Sequence, residues 1–266
     1  MCLDAAVLVG AVLAVCGLVS DFSFPALHKN AWGGLMSTLV IIAMELWFAT
    51  PVRARRRKLM VAVLLMVTVL FLSLSRGAWL GAIAGVSTLI FLRRQFKMLT
   101  RLLLVVVPLV AALWILLPQG DKDYALGFDA DRANIAGRID TIATCKQLFL
   151  NNPVLGVGVS LRKEVDATNV ILVTLAETGI LGLGLFIWLH VTILRMVWKT
   201  QKLIPREHPL YSLLAVGAGM IICRLAHGSV DHYWSRGAIL QAWGGVGMIV
   251  AVAAHLRKPS LSVRRK

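Results

Sequence analysis

The chain has 266 residues, is 58% hydrophobic and carries a formal net charge of +15, with a mean hydropathy of +0.79. That composition excludes a soluble globular domain and makes the bilayer the solvent to reason with. The charge also excludes nucleic acid as the partner, because the basic residues sit in alternate loops between apolar runs rather than on one face.

Eight apolar stretches follow in chain order, at residues 5–19, 33–50, 59–74, 77–92, 102–117, 170–194, 209–227 and 237–256. None alternates as a barrel strand does, and backbone groups cannot go unpaired in lipid, so each is expected to be a helix. The first lacks a basic leader region, having only Asp4 as an early charge, and is expected to be a retained helix. Arg53, Arg55, Arg56, Arg57 and Lys58 precede the third stretch. Arg93, Arg94, Lys97 and Arg101 follow the fourth, Arg195, Lys199, Lys202 and Arg206 follow the sixth, and Arg257, Lys258, Arg264, Arg265 and Lys266 form the tail. By the positive-inside rule all these segments, and both termini, are expected in the cytoplasm as topology signals beside membrane lipids. Residues 20–32, 75–76, 118–168 and 228–236 are then expected to face outward. The expected architecture is an all-α polytopic membrane protein, a single integral domain over 1–266 with about eight spanning helices.

The one long hydrophilic segment, residues 118–168, lies between the fifth and sixth stretches. Ile139, Ile142, Cys145 and Phe149 recur there at helical spacing until Asn151-Asn152-Pro153, which predicts an amphipathic helix on the outer membrane surface. Gly156-Val157-Gly158 reads as a flexible turn, and Asn169 as the start of the sixth helix. Cys2, Cys16, Cys145 and Cys223 show neither paired nor metal-ligand spacing and are expected to pack. No internal repeat is visible, and no broken helix.

The chemistry is expected on the outward side. Arg76 stands at the junction of two apolar runs where the chain otherwise avoids basic residues. Arg224 lies about a turn inside the seventh stretch, where an unpaired charge costs on the order of 2.5–3.5 kcal/mol, and helical spacing places His227 above it. Asp231-His232-Tyr233-Trp234-Ser235-Arg236 sets a carboxylate, an imidazole, two aromatic rings and an arginine in one short loop. Arg138 is a further cation on the same face. Each has a plainer reading: Arg76 as a snorkelling side chain, and the 231–236 loop as an interfacial anchor. Together the arginines describe a diphosphate site that needs no metal and no cofactor, since guanidinium binds phosphate oxygens bidentately and stays charged. Glu45 and Glu177, the acids well inside helices, read as packing groups.

Ser75-Arg76-Gly77-Ala78-Trp79-Leu80-Gly81 resembles the signature of the O-antigen ligase and polymerase superfamily. Gly137-Arg138-Ile139 running on to Asn152-Pro153-Val154-Leu155-Gly156-Val157-Gly158 is similar to the family's periplasmic loop, and Asn169 through Leu175-Ala176-Glu177-Thr178-Gly179-Ile180-Leu181-Gly182 to the segment after it. The resemblance covers roughly residues 55–195. It implies a cell inner-membrane enzyme of lipopolysaccharide biosynthesis, a metal-independent glycosyltransferase that moves a glycan from an undecaprenyl diphosphate carrier to an acceptor hydroxyl in the periplasm. The acceptor is lipid A core oligosaccharide for a ligase and another carrier-linked glycan for a polymerase. Arg76 and Arg138 match the family's arginines, and Arg224, Arg236, Asn169 and Asp231 are expected to bind substrate. The family's histidine before the matched Asn169 is replaced by Thr168, whose hydroxyl is too weak a base near neutral pH. His232 is the expected substitute, ahead of His227, because Asp231 beside it can orient the ring. A lipid-linked glycan transporter and a non-catalytic family member are the alternatives. The family commonly has about a dozen helices, so the resemblance also implies that the N-terminal part of the usual fold is missing.

Overall fold

The computed structural model describes residues 2–22, 27–127, 133–159, 169–231 and 239–257, and all secondary structure among them is helical. Among these described residues ten helices follow one another: α1 (Cys2–Val19), α2 (Lys29–Ala49), α3 (Arg53–Leu72), α4 (Arg76–Arg93), α5 (Phe96–Leu116), α6 (Gln119–Leu126), α7 (Ala133–Asn151), α8 (Val170–Thr200), α9 (Pro209–Gly228) and α10 (Ile239–Arg257). The helix starts are written locally. Ser75 accepts from the Ala78 amide to open α4, Asn169 accepts from the Ile171 and Leu172 amides to open α8, and Pro209 occupies the first turn of α9 behind a His208 cap.

Every expected apolar stretch lies in a helix, but not every one has the length and composition of a span. Among the described residues α1, α2, α5, α8, α9 and α10 are long and apolar enough to cross a membrane. Expected spans three and four fall outside this set: α3 begins with Arg53, Arg55, Arg56, Arg57 and Lys58, and α4 has 18 residues with arginine at each end.

The core sits around α2 and α9. Trp32, Met36, Ile41 and Met44 of α2 and Tyr211, Leu214 and Ile221 of α9 have 0–1% exposure. Between apolar helices in lipid the hydrophobic drive is weak, and close approach through small residues supplies the packing. The crossing of α4 on α9 shows this: a Cβ on Gly81 would stand 2.9 Å from the Cys223 carbonyl oxygen, and one on Gly85 2.9 Å from that of Gly219. The α9–α10 crossing repeats the device with Gly217 and Gly245. At the other extreme α5 buries only Leu102 and exposes Leu104, Val107, Ile115 and Leu116, a surface suited to acyl chains.

One expectation about the polar segment needs correction. The helix expected there is α7, with Cys145 buried against Val173 and Ala176 of α8 and with Ile139 and Ile142 about half exposed. Gly156-Val157-Gly158 is not a free turn. The backbone of α8 leaves helical geometry at Gly179 (φ 64°, ψ −167°), and residues 153–158 fill the break. The Val157 and Gly158 amides donate to the Ala176 and Glu177 carbonyls at 3.0 and 2.9 Å, while the Ile180 amide donates to the Pro153 carbonyl at 3.0 Å. The break is invisible in the sequence because a glycine in an apolar run carries no sign of its φ.

Candidate functional site

The resemblance-bearing heptad can be taken residue by residue. Ser75 caps α4. Ala78 is fully buried, and Trp79 donates its indole N–H to the Leu70 carbonyl at 2.9 Å while stacking on Phe71 at 5.4 Å between ring centroids. Gly77 and Gly81 keep α4 flush with α9, because a Cβ on Gly77 would meet the His227 ring at 2.7 Å and Val230 Cγ2 at 3.2 Å. Five residues thus fix the position of Arg76, while Leu80 faces outward. Arg76 is only partly buried, and its Nη1 reaches the Gly127 carbonyl, at the end of α6, at 3.5 Å.

The turn that follows α9, residues 229–231, is where the other elements meet. Asn169 donates to the Ser229 carbonyl at 2.8 Å, and Arg138 donates to the Val230 carbonyl at 3.3 Å. Asp231, 4% exposed, accepts from Asn30 Nδ2 at 3.2 Å and lies 3.8 Å from Arg138 Nη2. Its own amide donates back to the His227 carbonyl at 3.0 Å. Four helices, α2, α4, α7 and α8, therefore converge on three residues. Arg138 keeps 30% of its side chain exposed and sits beyond hydrogen-bond distance of Asp231, so its fork is oriented by the pair yet open to a second anion.

Arg76, Arg138, Asn169 and Asp231 are thus gathered at one end of the bundle. Arg224 is set apart. It has no exposure, and its Nη2 donates to the Gly34 carbonyl at 2.8 Å and to Ser37 Oγ at 2.6 Å, bridging α9 to α2 inside the core. His227 is likewise fully buried, wedged beneath Gly77. His232, Arg236 and Thr168 lie outside the described residues. Asn30 was not foreseen as a site residue: in sequence it is a polar residue at a helix start, and only the fold brings it to Asp231. Among the described residues no group of three or more His, Cys, Asp or Glu side chains stands together as a metal site.

The opposite end corrects the reading of Arg93 as a lipid-facing topology signal. Arg93 is buried, its Nε donates to both Glu45 oxygens at 3.0 and 3.2 Å, and its Nη2 pairs with Glu45 Oε1 and donates to Ser212 Oγ at 2.9 Å. Its guanidinium also lies 4.9 Å from the Tyr211 ring centre. Glu45 packs, as expected, but as half of an ion pair.

Against known protein families, residues 61–187 match the profile described as O-antigen ligase. The match begins within α3, takes in Arg76 and Arg138 and ends in α8, beyond the break at Gly179. Over those residues the chain is similar to the O-antigen ligase family, and with six span-grade helices among the described residues it is a multi-pass membrane protein. The family supports function of the ligase or polymerase type in general, on lipid-linked glycans within a lipid membrane. No curated protein matches the chain.

Proposed function

We propose that the chain is an O-antigen ligase that transfers a glycan from undecaprenyl diphosphate to lipid A core oligosaccharide at the periplasmic face of the inner membrane, both termini being cytoplasmic. What supports this reading is that Arg76, next to the Gly77 packed against Val230, and Arg138, on the 229–231 turn, lie at one end of the bundle. In the reaction an acceptor hydroxyl attacks the anomeric carbon, the bond from that carbon to the diphosphate oxygen breaks, and the hydroxyl proton passes to a base. Charge grows on the departing diphosphate, so fixed guanidinium groups stabilise the transition state more than the bound substrate. His232 is the base. In sequence it follows directly on Asp231, which accepts from Asn30 and faces Arg138. Asn169 ties the start of α8 to the same turn, and Arg236 in the same loop and Arg224 beneath it add positive potential for the carrier.

A polymerase shares all of this and differs only in its acceptor. A transporter is the reading that the break at Gly179 favours, since broken helices commonly form transport sites. Here, however, residues 153–158 occupy backbone groups exposed by the break, leaving fewer for an ion or substrate.

In membranes supplied with a carrier-linked glycan and lipid A core, Arg76→Ala and Arg138→Ala should each lower transfer about 100-fold, the order seen on removing one transition-state donor, and His232→Ala should abolish it. Full transfer by His232→Ala would overturn the base assignment. Carrier flipping without transfer in the parent protein would replace ligase with transporter.

A further inference from the structure

The end of the bundle opposite Arg76 contains a cavity that the transfer reaction does not use. It has a volume of about 490 Å³ and is lined by Arg94, Phe96, Trp198, Lys202, Arg206 and Tyr211. Three elements build it: the α4–α5 junction, the end of α8 and the entry to α9. Its floor is rigid. Tyr211 donates to the Leu92 carbonyl at 2.7 Å, Arg93 donates to the Arg206 carbonyl, and Arg93 is itself locked on Glu45. Arg94 ends α4 in the left-handed region (φ 53°), so that adjacent arginines part: Arg93 enters the core and Arg94 lines the cavity.

We propose that this cavity is a binding site for an anionic phospholipid, with the headgroup phosphate held by Arg94, Lys202 and Arg206 and the upper acyl chain lying along Phe96 and Trp198. Three cations line the cavity and no carboxylate does. Of the nearby acids, Glu45 is committed to Arg93, and Glu207 is exposed outside the lining. Tyr211 belongs to the core and forms the floor, but Phe96 and Trp198 face outward, at 58% and 51% exposure, and Lys202 lies 5.1 Å from the Trp198 ring centre. Both rings belong to helices of span grade, α5 and α8, so they stand where headgroup gives way to acyl chain. Basic pockets between membrane helices suit doubly anchored anionic headgroups, whereas a free phosphate ion gains nothing from the aromatic wall.

The test compares the purified full chain with two triple variants of equal charge change. One is Arg94→Gln, Lys202→Gln and Arg206→Gln. The other is Arg53→Gln, Arg57→Gln and Arg101→Gln, all exposed and outside the cavity lining. Native mass spectrometry should show retained phosphatidylglycerol over phosphatidylcholine in the parent and the control triple. The cavity triple should lose apparent affinity on the order of 100-fold, about fivefold for each cation. Equal loss in both triples, or equal retention of the two lipids by the parent, would overturn the site. Stabilisation of the parent by inorganic phosphate to the same extent as by phosphatidylglycerol would overturn the lipid assignment. Should the cavity triple fail to fold, brominated phosphatidylglycerol on the otherwise unaltered chain serves instead. Quenching of the fluorescence lost in Trp198→Phe, and weaker quenching by brominated phosphatidylcholine, is the expected result; equal quenching by the two lipids would sink the proposal.

Discussion

Charged residues in this chain divide by what surrounds them. Arg138 is oriented by one carboxylate and keeps an open side, which suits a group that must meet a substrate. Arg93 is closed off on every side by Glu45, Ser212, Tyr211 and the Arg206 carbonyl. Removing one partner of such a pair leaves a buried charge uncompensated, at a cost of about 3–5 kcal/mol, whereas replacing both by apolar residues is close to neutral. Glu45→Ala should accordingly lower the thermal midpoint of the detergent-solubilised protein sharply, and Glu45→Met with Arg93→Met should restore most of it. At the other end of the bundle, burial and then the Glu177 carboxylate push the Cys145 thiol above its usual pKa. Buried and held protonated, Cys145 is a poor nucleophile, so maleimide should label the exposed Cys2 well before Cys145 at pH 8–9, roughly the free-thiol range. Equal labelling rates would show that Cys145 is not held as described.

Among the helices α8 is the one whose form departs from its sequence pattern. Its first turns, up to Thr178, pack on α7, and the run from Ile180 to Thr200 is by itself about 30 Å long at 1.5 Å per residue, enough to span. The break lets Asn169 reach Ser229 while the span keeps its own direction. A methyl group on Gly179 would lie 2.2 Å from the Val154 carbonyl oxygen, and φ of 64° is already unfavourable for any side chain. Gly179→Ala should therefore expel residues 153–158. The readout is faster proteolysis at that segment and loss of glycan transfer in step; unchanged proteolysis would mean that the break tolerates a side chain.

For the whole molecule, the α4–α9 crossing is what sets the start of α4, with Gly77 against Val230, at the 229–231 turn. A Cβ at Gly85 would meet Ile41 Cδ1 at 2.3 Å and the Gly219 carbonyl at 2.9 Å, so Gly85→Leu forces the two helices apart. Because Arg76 lies more than two turns away, the expected result is reduced stability together with lost transfer, from a substitution that touches no polar site residue. Retention of both would show that α4 is not held by its glycines. The orientation assigned to the bundle has its own test: reporter fusions after residue 150 should read periplasmic, and fusions at 55 and 200 cytoplasmic. A cytoplasmic signal at 150 would place the arginine cluster on the wrong side for the proposed transfer.

The sequence by itself determined the solvent, the helical class, the alternation of basic and polar loops and the family resemblance, because hydropathy over some twenty residues and a capped heptad are local properties. It also pointed to Arg76, Arg138, Asn169 and Asp231, each beside a motif or an anomalous charge. Only the tertiary structure decided which of them meet. Asn30 and Asp231 lie 201 positions apart, and nothing local marks the pair. Likewise the sequence could not tell Arg93 from Arg94: identical neighbours at a helix end, one is buried on Glu45 and the other lines a cavity, because a single left-handed residue turns the chain between them. The depth of Arg224 and the break at Gly179 were hidden for the same reason, since burial and φ depend on the helix packed alongside.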